Sequence, residues 1–142
     1  MQNILVATDG SSSADRAVEV AVELAKALGG HLLILTIAGS LSGEEVRQLV
    51  RAERDIADAV ESLSTQILIA AKERAQRLGV SAVNMQTAWG DPAEAIIEAA
   101  RREHADAIVV GRRGRGRLTG LLLGSVSQKI VSLAPCTAVV VP

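Results

Sequence analysis

Residues 107–125 read Ala107-Ile-Val-Val-Gly111-Arg-Arg-Gly114-Arg-Gly-Arg-Leu-Thr-Gly-Leu-Leu-Leu-Gly124-Ser125. Ala107 to Val110 has the length and β-branched content of a buried strand, and the chain leaves that strand at Gly111. Further on, Val126, Ile130, Val131 and Leu133 recur at largely helical spacing, with Gly124 and Ser125 suited to the positions just before and at a helix start. The stretch therefore predicts a strand, a glycine loop and a helix. A helix start carries unpaired N–H groups and a partial positive charge, and glycines let the main chain approach an anion closely, so this order of elements suits a phosphate. Arg112, Arg113, Arg115 and Arg117 add guanidinium groups, and the hydroxyls of Ser125 and Ser127 can donate to phosphate oxygens.

Two familiar phosphate motifs do not apply. No Gly-x4-Gly-Lys-Ser/Thr occurs in the chain, and Gly114-x-Gly116 has Thr119 where a dinucleotide fingerprint has its third glycine.

Working outward, Ile4 to Ala7 predicts a buried strand, followed by a helix to Leu28 that Ser12 and Asp15 are placed to start as a capping box, with Gly29-Gly30 stopping it. Leu32 to Ile37 is a second apolar strand. A long helical region is expected from the Gly39–Gly43 stretch to Leu78, with an interruption or a bend at Ser62–Thr65 and Gly79 as its cap. Val80 to Ala88 carries Asn84 and Gln86, as an edge strand with one wetter face would. Asp91, Pro92 and Glu94 supply an N-cap, a proline at the first helical position and an acidic first turn for a helix to about Glu103. Pro135 then breaks the chain ahead of a fifth strand, Thr137 to Val141. Short apolar strands alternating with helices predict a parallel sheet covered on both faces.

The chain has 142 residues, 49% hydrophobic and 22% charged, which suits one domain over residues 1–142 with an ample core. Trp89 is the sole aromatic residue and is read as a packing residue, so base stacking on an aromatic platform is nearly excluded. The formal charge is −1, yet every carboxylate lies at or before Asp106, which gathers positive potential at the glycine loop. Cys136, the one cysteine, cannot form an internal disulfide and reads as a small core residue in a reducing compartment. His31 and His104 form no recognisable metal set with it. No apolar run reaches the length of a membrane helix and no signal peptide is legible, so a cytoplasmic protein is expected.

The spacing Gly111-x2-Gly114-x9-Gly124-Ser125 resembles that of the ATP-binding members of the universal stress protein family. Other landmarks look similar too: the opening Asn3-Ile-Leu-Val-Ala-Thr-Asp9-Gly-Ser11, the Gly90-Asp-Pro92 turn and the closing Pro135-Cys-Thr-Ala-Val-Val-Val141. The poorest match runs from about Gly39 to Ser64. The resemblance implies a doubly wound, Rossmann-like α/β fold, with a five-stranded parallel sheet in the order 3-2-1-4-5 and helices on both faces. Strands 1 and 4 would then flank the topological switch point, where ligands bind at carboxyl ends.

The resemblance further implies that Gly111, Gly114, Gly124 and Ser125 hold phosphates, that Arg113 and Arg115 neutralise charge, and that Ala7, Asp9 and Ile37 border the nucleoside. Thr8, Val110, Arg112, Val126 and Ser127 complete the expected ligand-binding set. Asp9 is also readable as a plain turn residue, Ala7 and Ile37 as core, and Ser125 and Ser127 as helix caps. ATP is the expected ligand, with Mg²⁺ held through its phosphates, and the partner is a second copy joined through Thr137–Val141. The expectation is a nucleotide-dependent stress-response module with at most slow ATP hydrolysis or autophosphorylation, since the sequence positions no general base for an attacking water. Two alternatives stand beside it: a dimeric interaction protein that ignores nucleotides, and a binder of AMP or a cyclic nucleotide. Nucleic-acid binding through the arginine run is disfavoured by the acidic chain and the lack of aromatics.

Overall fold

The structure is a computed structural model that describes residues 2–38, 56–112 and 123–142. Five strands, β1 (Asn3–Ala7), β2 (His31–Ile37), β3 (Val83–Ala88), β4 (Ala107–Gly111) and β5 (Thr137–Val141), form one sheet in the order β3-β2-β1-β4-β5. Every pairing is parallel, with Leu5 opposite Leu33 on one side and Ile108 on the other. The described helices are α1 (Ser12–Leu28), α2 (Ile56–Arg77), α3 (Pro92–Arg102) and α4 (Ser125–Leu133). The predicted strand order is therefore the observed one.

Alternation along the central strands sorts the core into two layers. Ile4, Val6, Leu32, Ile34, Ala107 and Val109 pack with Val18, Ala21, Val22, Leu68 and Ala71 of α1 and α2. On the other face Leu5, Leu35, Ile37, Ile108 and Val110 pack with Ile96, Ile97 and Ile130 of α3 and α4. Fully burying one such aliphatic side chain contributes roughly 1.5–3 kcal/mol, so a core of this size needs no aromatic ring. Trp89 accordingly lies outside it: the side chain is 65% exposed, which corrects its reading as a packing residue.

Helix boundaries differ from expectation in instructive ways. The cap of α1 is Ser11, not Ser12: its hydroxyl accepts the Ala14 N–H at 3.2 Å, because the Asp9 carboxylate already accepts the Ser11 N–H at 2.9 Å and turns the chain one residue earlier. The expected start of the second helical region, from Gly39 onward, lies outside the described residues. From Ile56 to Arg77, α2 is continuous, so Ser62–Thr65 does not interrupt it. Ser64 instead turns its hydroxyl inward, where it is 1% exposed and has no hydrogen-bond partner among the described residues. Gly79, at φ 106°, closes α2 as foreseen, with Val80 N–H bonded to the Ala75 carbonyl at 3.1 Å. That closure spends Val80 on the helix end, and β3 begins at Val83. Asp91 caps α3 by accepting the Glu94 N–H at 3.1 Å, with Pro92 in the first turn.

Two contacts tie β4 into the fold. Asp106, just ahead of it, accepts the N–H groups of Asn3 at 2.9 Å and Gln2 at 2.8 Å, and these bonds hold its carboxyl below the usual range. At the other end Gly111 lies against the first turn of α1. A Cβ there would stand 2.6 Å from Ser13 Oγ and 3.2 Å from the Ser13 carbonyl oxygen.

Three outcomes are expected from this packing. Gly111→Ala overpacks that contact and is expected to cost about 1–3 kcal/mol, read as a lower chemical-denaturation midpoint. Because the Asp106 pKa is depressed on folding, its contribution is present above about pH 4 and disappears as the pH falls through the folded value. Asp106→Asn, which imitates the protonated carboxyl, should lower Tm at pH 7 and converge with the parent in acid. Ser64→Ala removes a buried hydroxyl whose desolvation costs about 1–3 kcal/mol, and thermal melting should show Tm raised by a few degrees.

Candidate functional site

The sheet order places β1 beside β4, with Val6 opposite Val109, while the chain leaves the two strands toward opposite faces, α1 on one and α4 on the other. In doubly wound sheets, strands that part in this way leave room for a ligand between their carboxyl ends. Thr8 and Asp9 leave β1, and Gly111 and Arg112 leave β4, at those ends.

The β1 turn is built by local bonds. The Thr8 N–H donates to the Leu35 carbonyl at 2.9 Å, which carries the β1–β2 ladder one residue past Ala7. The Thr8 hydroxyl accepts the Gly10 N–H at 3.1 Å, and Gly10 takes φ 80° to allow the reversal. Ala7 and Asp9 are half-buried, and Thr8 is buried. Ile37, at the end of β2 and opposite Ala88, is also buried.

The neck of the glycine loop is equally defined. Arg112 N–H donates to the Val141 carbonyl at 2.6 Å, and Gly124 N–H donates to the Arg112 carbonyl at 2.9 Å, so the two ends of the loop meet. Gly124 is the N-cap of α4 and Ser125 the exposed first residue of the helix, the positions just before and at its start that the sequence suggests. Among the described residues no side-chain bond caps α4, and the positive end of its dipole lies at this neck. Val126 is half-buried, and the buried Ser127 places its hydroxyl 2.8 Å from the Gly111 carbonyl and 2.9 Å from that of Arg112. Val110 is buried behind the neck. Arg113, Gly114 and Arg115 lie outside the described residues.

The described members of the expected set thus gather at one edge of the sheet. Three further residues belong to the same edge and were not read as such from the sequence. Ser13 abuts Gly111; Thr36, wholly buried, donates its hydroxyl to the Thr8 carbonyl at 2.8 Å; and Trp89 follows Ala88 at the end of β3. Thr36 could have been found as a lone hydroxyl in the apolar run Leu32–Ile37. Cys136 sits apart from this chemistry: burial, with a smaller contribution from Asp106, pushes its thiol up, which keeps it protonated and a poor nucleophile at neutral pH. Among the described residues no group of three His, Cys, Asp or Glu side chains could hold a metal ion, and no helix is long and apolar enough to cross a membrane.

The sequence matches the model of the universal stress protein family over residues 1–142. It is 38% identical to a Thermus aquaticus protein named "Universal stress protein in QAH/OAS sulfhydrylase 3'region", across 99% of this chain and 98% of that relative. A solved universal stress protein in complex with cAMP superposes with a TM-score of 0.74 at 28% identity, covering 99% of this chain and 95% of that one. One from Archaeoglobus fulgidus in complex with dAMP gives 0.73 at 19% identity, covering 100% and 98%, and speaks for the fold alone. Matched from end to end by the family model, and by a relative over nearly its whole length, the chain belongs to the universal stress protein family.

Proposed function

We propose that this protein binds ATP at the crevice between β1 and β4, as one cytoplasmic domain over residues 1–142 whose nucleotide state is read by other components under stress. The observation that carries the reading is the start of α4 at Gly124, which has no side-chain cap among the described residues, closes onto Arg112 and completes the Gly111-x2-Gly114-x9-Gly124-Ser125 spacing. Amides of that first turn, with Gly111, Gly114 and Ser125, would hold the phosphates. Arg112, Arg113 and Arg115 would neutralise charge, and Ala7, Thr8, Asp9, Ile37, Val110 and Val126 would border the nucleoside. Mg²⁺ would come with the triphosphate and take few protein ligands. The activity is one of binding, with turnover no faster than slow hydrolysis or autophosphorylation. A second copy pairs through β5, an edge strand whose outer main-chain groups need cover.

A second reading, an adenine nucleotide with one phosphate, is favoured by a different observation: a solved relative at 28% identity is in complex with cAMP. Calorimetric titration with ATP and Mg²⁺, AMP and cAMP in parallel separates the two. The ATP reading expects the triphosphate to bind more tightly than either monophosphate, and no heat from any of the three at millimolar concentration rejects adenylate binding altogether.

Gly124 has φ −73° and ψ 169°, a conformation open to any residue, so Gly124→Val tests ligand clearance more than backbone fit. Affinity for ATP should drop about tenfold or more, equivalent to roughly 1.4 kcal/mol, with Tm lowered by a few degrees because valine is a poorer N-cap than glycine. For the assembly, light scattering at micromolar concentration is expected to give twice the 14.8 kDa chain mass; a strict monomer rejects the β5 pairing.

A further inference from the structure

Hydroxyls inside this core are few, and where they sit is informative. Among the described residues the buried polar side chains are Thr8, Thr36, Ser64 and Ser127. Burying a hydroxyl carries a desolvation cost that only a good hydrogen bond offsets. Ser64 makes none, whereas the other three all bond at the exits of the two central strands.

Their partners are main-chain atoms of the two turns that form the crevice. The Thr36 hydroxyl reaches from β2 to the Thr8 carbonyl at 2.8 Å, which fixes the plane of the Thr8–Asp9 peptide and so the direction in which Asp9 leaves the sheet. Across the switch point the Ser127 hydroxyl, from the first turn of α4, bridges the Gly111 and Arg112 carbonyls at 2.8 and 2.9 Å. It holds the exit of β4 against the start of that helix. The Thr36 bond is buried and the Ser127 side chain is only 3% exposed, its carbonyl partners being half-buried, so loss of the Thr36 bond in particular is not cheaply made good by solvent. In this structure the Ser127 hydroxyl is directed at the carbonyls behind the neck.

We propose that Thr36 and Ser127 are positioning residues: from behind the crevice, each hydroxyl holds one of its two turns in the single arrangement competent for ligand. The proposal rests on the nucleotide reading for the identity of that ligand. If a turn samples other arrangements, apparent affinity falls in proportion to the competent fraction, with no lost contact to the ligand itself.

The test uses the full chain with ATP and Mg²⁺ as the probe. Thr36→Val keeps the branched shape and removes the hydroxyl; Ser127→Ala does the same on the other side; Thr36→Ser and Ser127→Thr restore it. In ligand-free protein, amide hydrogen exchange should quicken at Gly10 in Thr36→Val and at Gly124 in Ser127→Ala, while amides in the middle of β1 and β4 keep the parental rate. By calorimetry each variant should bind ATP about fivefold more weakly, the restoring variants as the parent does, and Ser64→Ala as the parent does. Parental exchange at Gly10 and Gly124 overturns the proposal, as does a uniform acceleration across the sheet, which would mark a merely structural role. If the parent takes up no adenylate, the nucleotide reading falls by itself, and the exchange measurement still decides whether the two hydroxyls set the turns.

Discussion

The pairing of β1 with β4 is the constraint on which everything else in this molecule depends. Parallel hydrogen bonding puts the carboxyl ends of both strands at the same edge, and departure of the two chains to opposite faces parts them there. Segments about a hundred residues apart in sequence, Thr8–Asp9 and Gly111–Arg112, become neighbours without any contact having to be designed between their side chains. The close approach of Gly111 to Ser13 shows how tight that arrangement is: the end of β4 and the first turn of α1 share space that a methyl group would already overfill.

Much of the fold was legible because its signals are local. Apolar runs of four to six residues marked four of the five strands, and Asp91-Pro92 and Gly79 act on their own neighbours through caps that need no tertiary context. The errors lie where a local rule met a competing bond. Ser12 looked like a cap, but the Asp9 carboxylate had already claimed the Ser11 N–H, and the helix starts one residue earlier than a capping box at Ser12 and Asp15 implies. Val80 looked like strand, but it is consumed in closing α2. The serines at 62 and 64 looked like a break, yet packing keeps the helix intact even at the expense of an unbonded hydroxyl.

The candidate site divides along the same line. Spacing alone pointed to Gly111, Gly124 and Ser125, because a turn that must approach an anion advertises itself by glycine. Thr36 and Ser13 carry no such advertisement. Each matters through a partner far away in sequence, a carbonyl at Thr8 or a glycine at 111, and only the folded chain supplies the distance. Ser127 shows the converse case, a residue whose position in the motif was evident while its bonding was not: a hydroxyl within two residues of a phosphate-suited turn can equally face the backbone behind it.

The only indole in the chain, at Trp89, is 65% exposed and follows Ala88, the residue paired with Ile37 at the end of β2. With no phenylalanine or tyrosine anywhere, near-ultraviolet absorption and emission come from this one side chain. The protein therefore carries a built-in optical probe at the very rim where its strands end, one that starts from a watery, red-shifted baseline and has no background signal from the core to obscure a change.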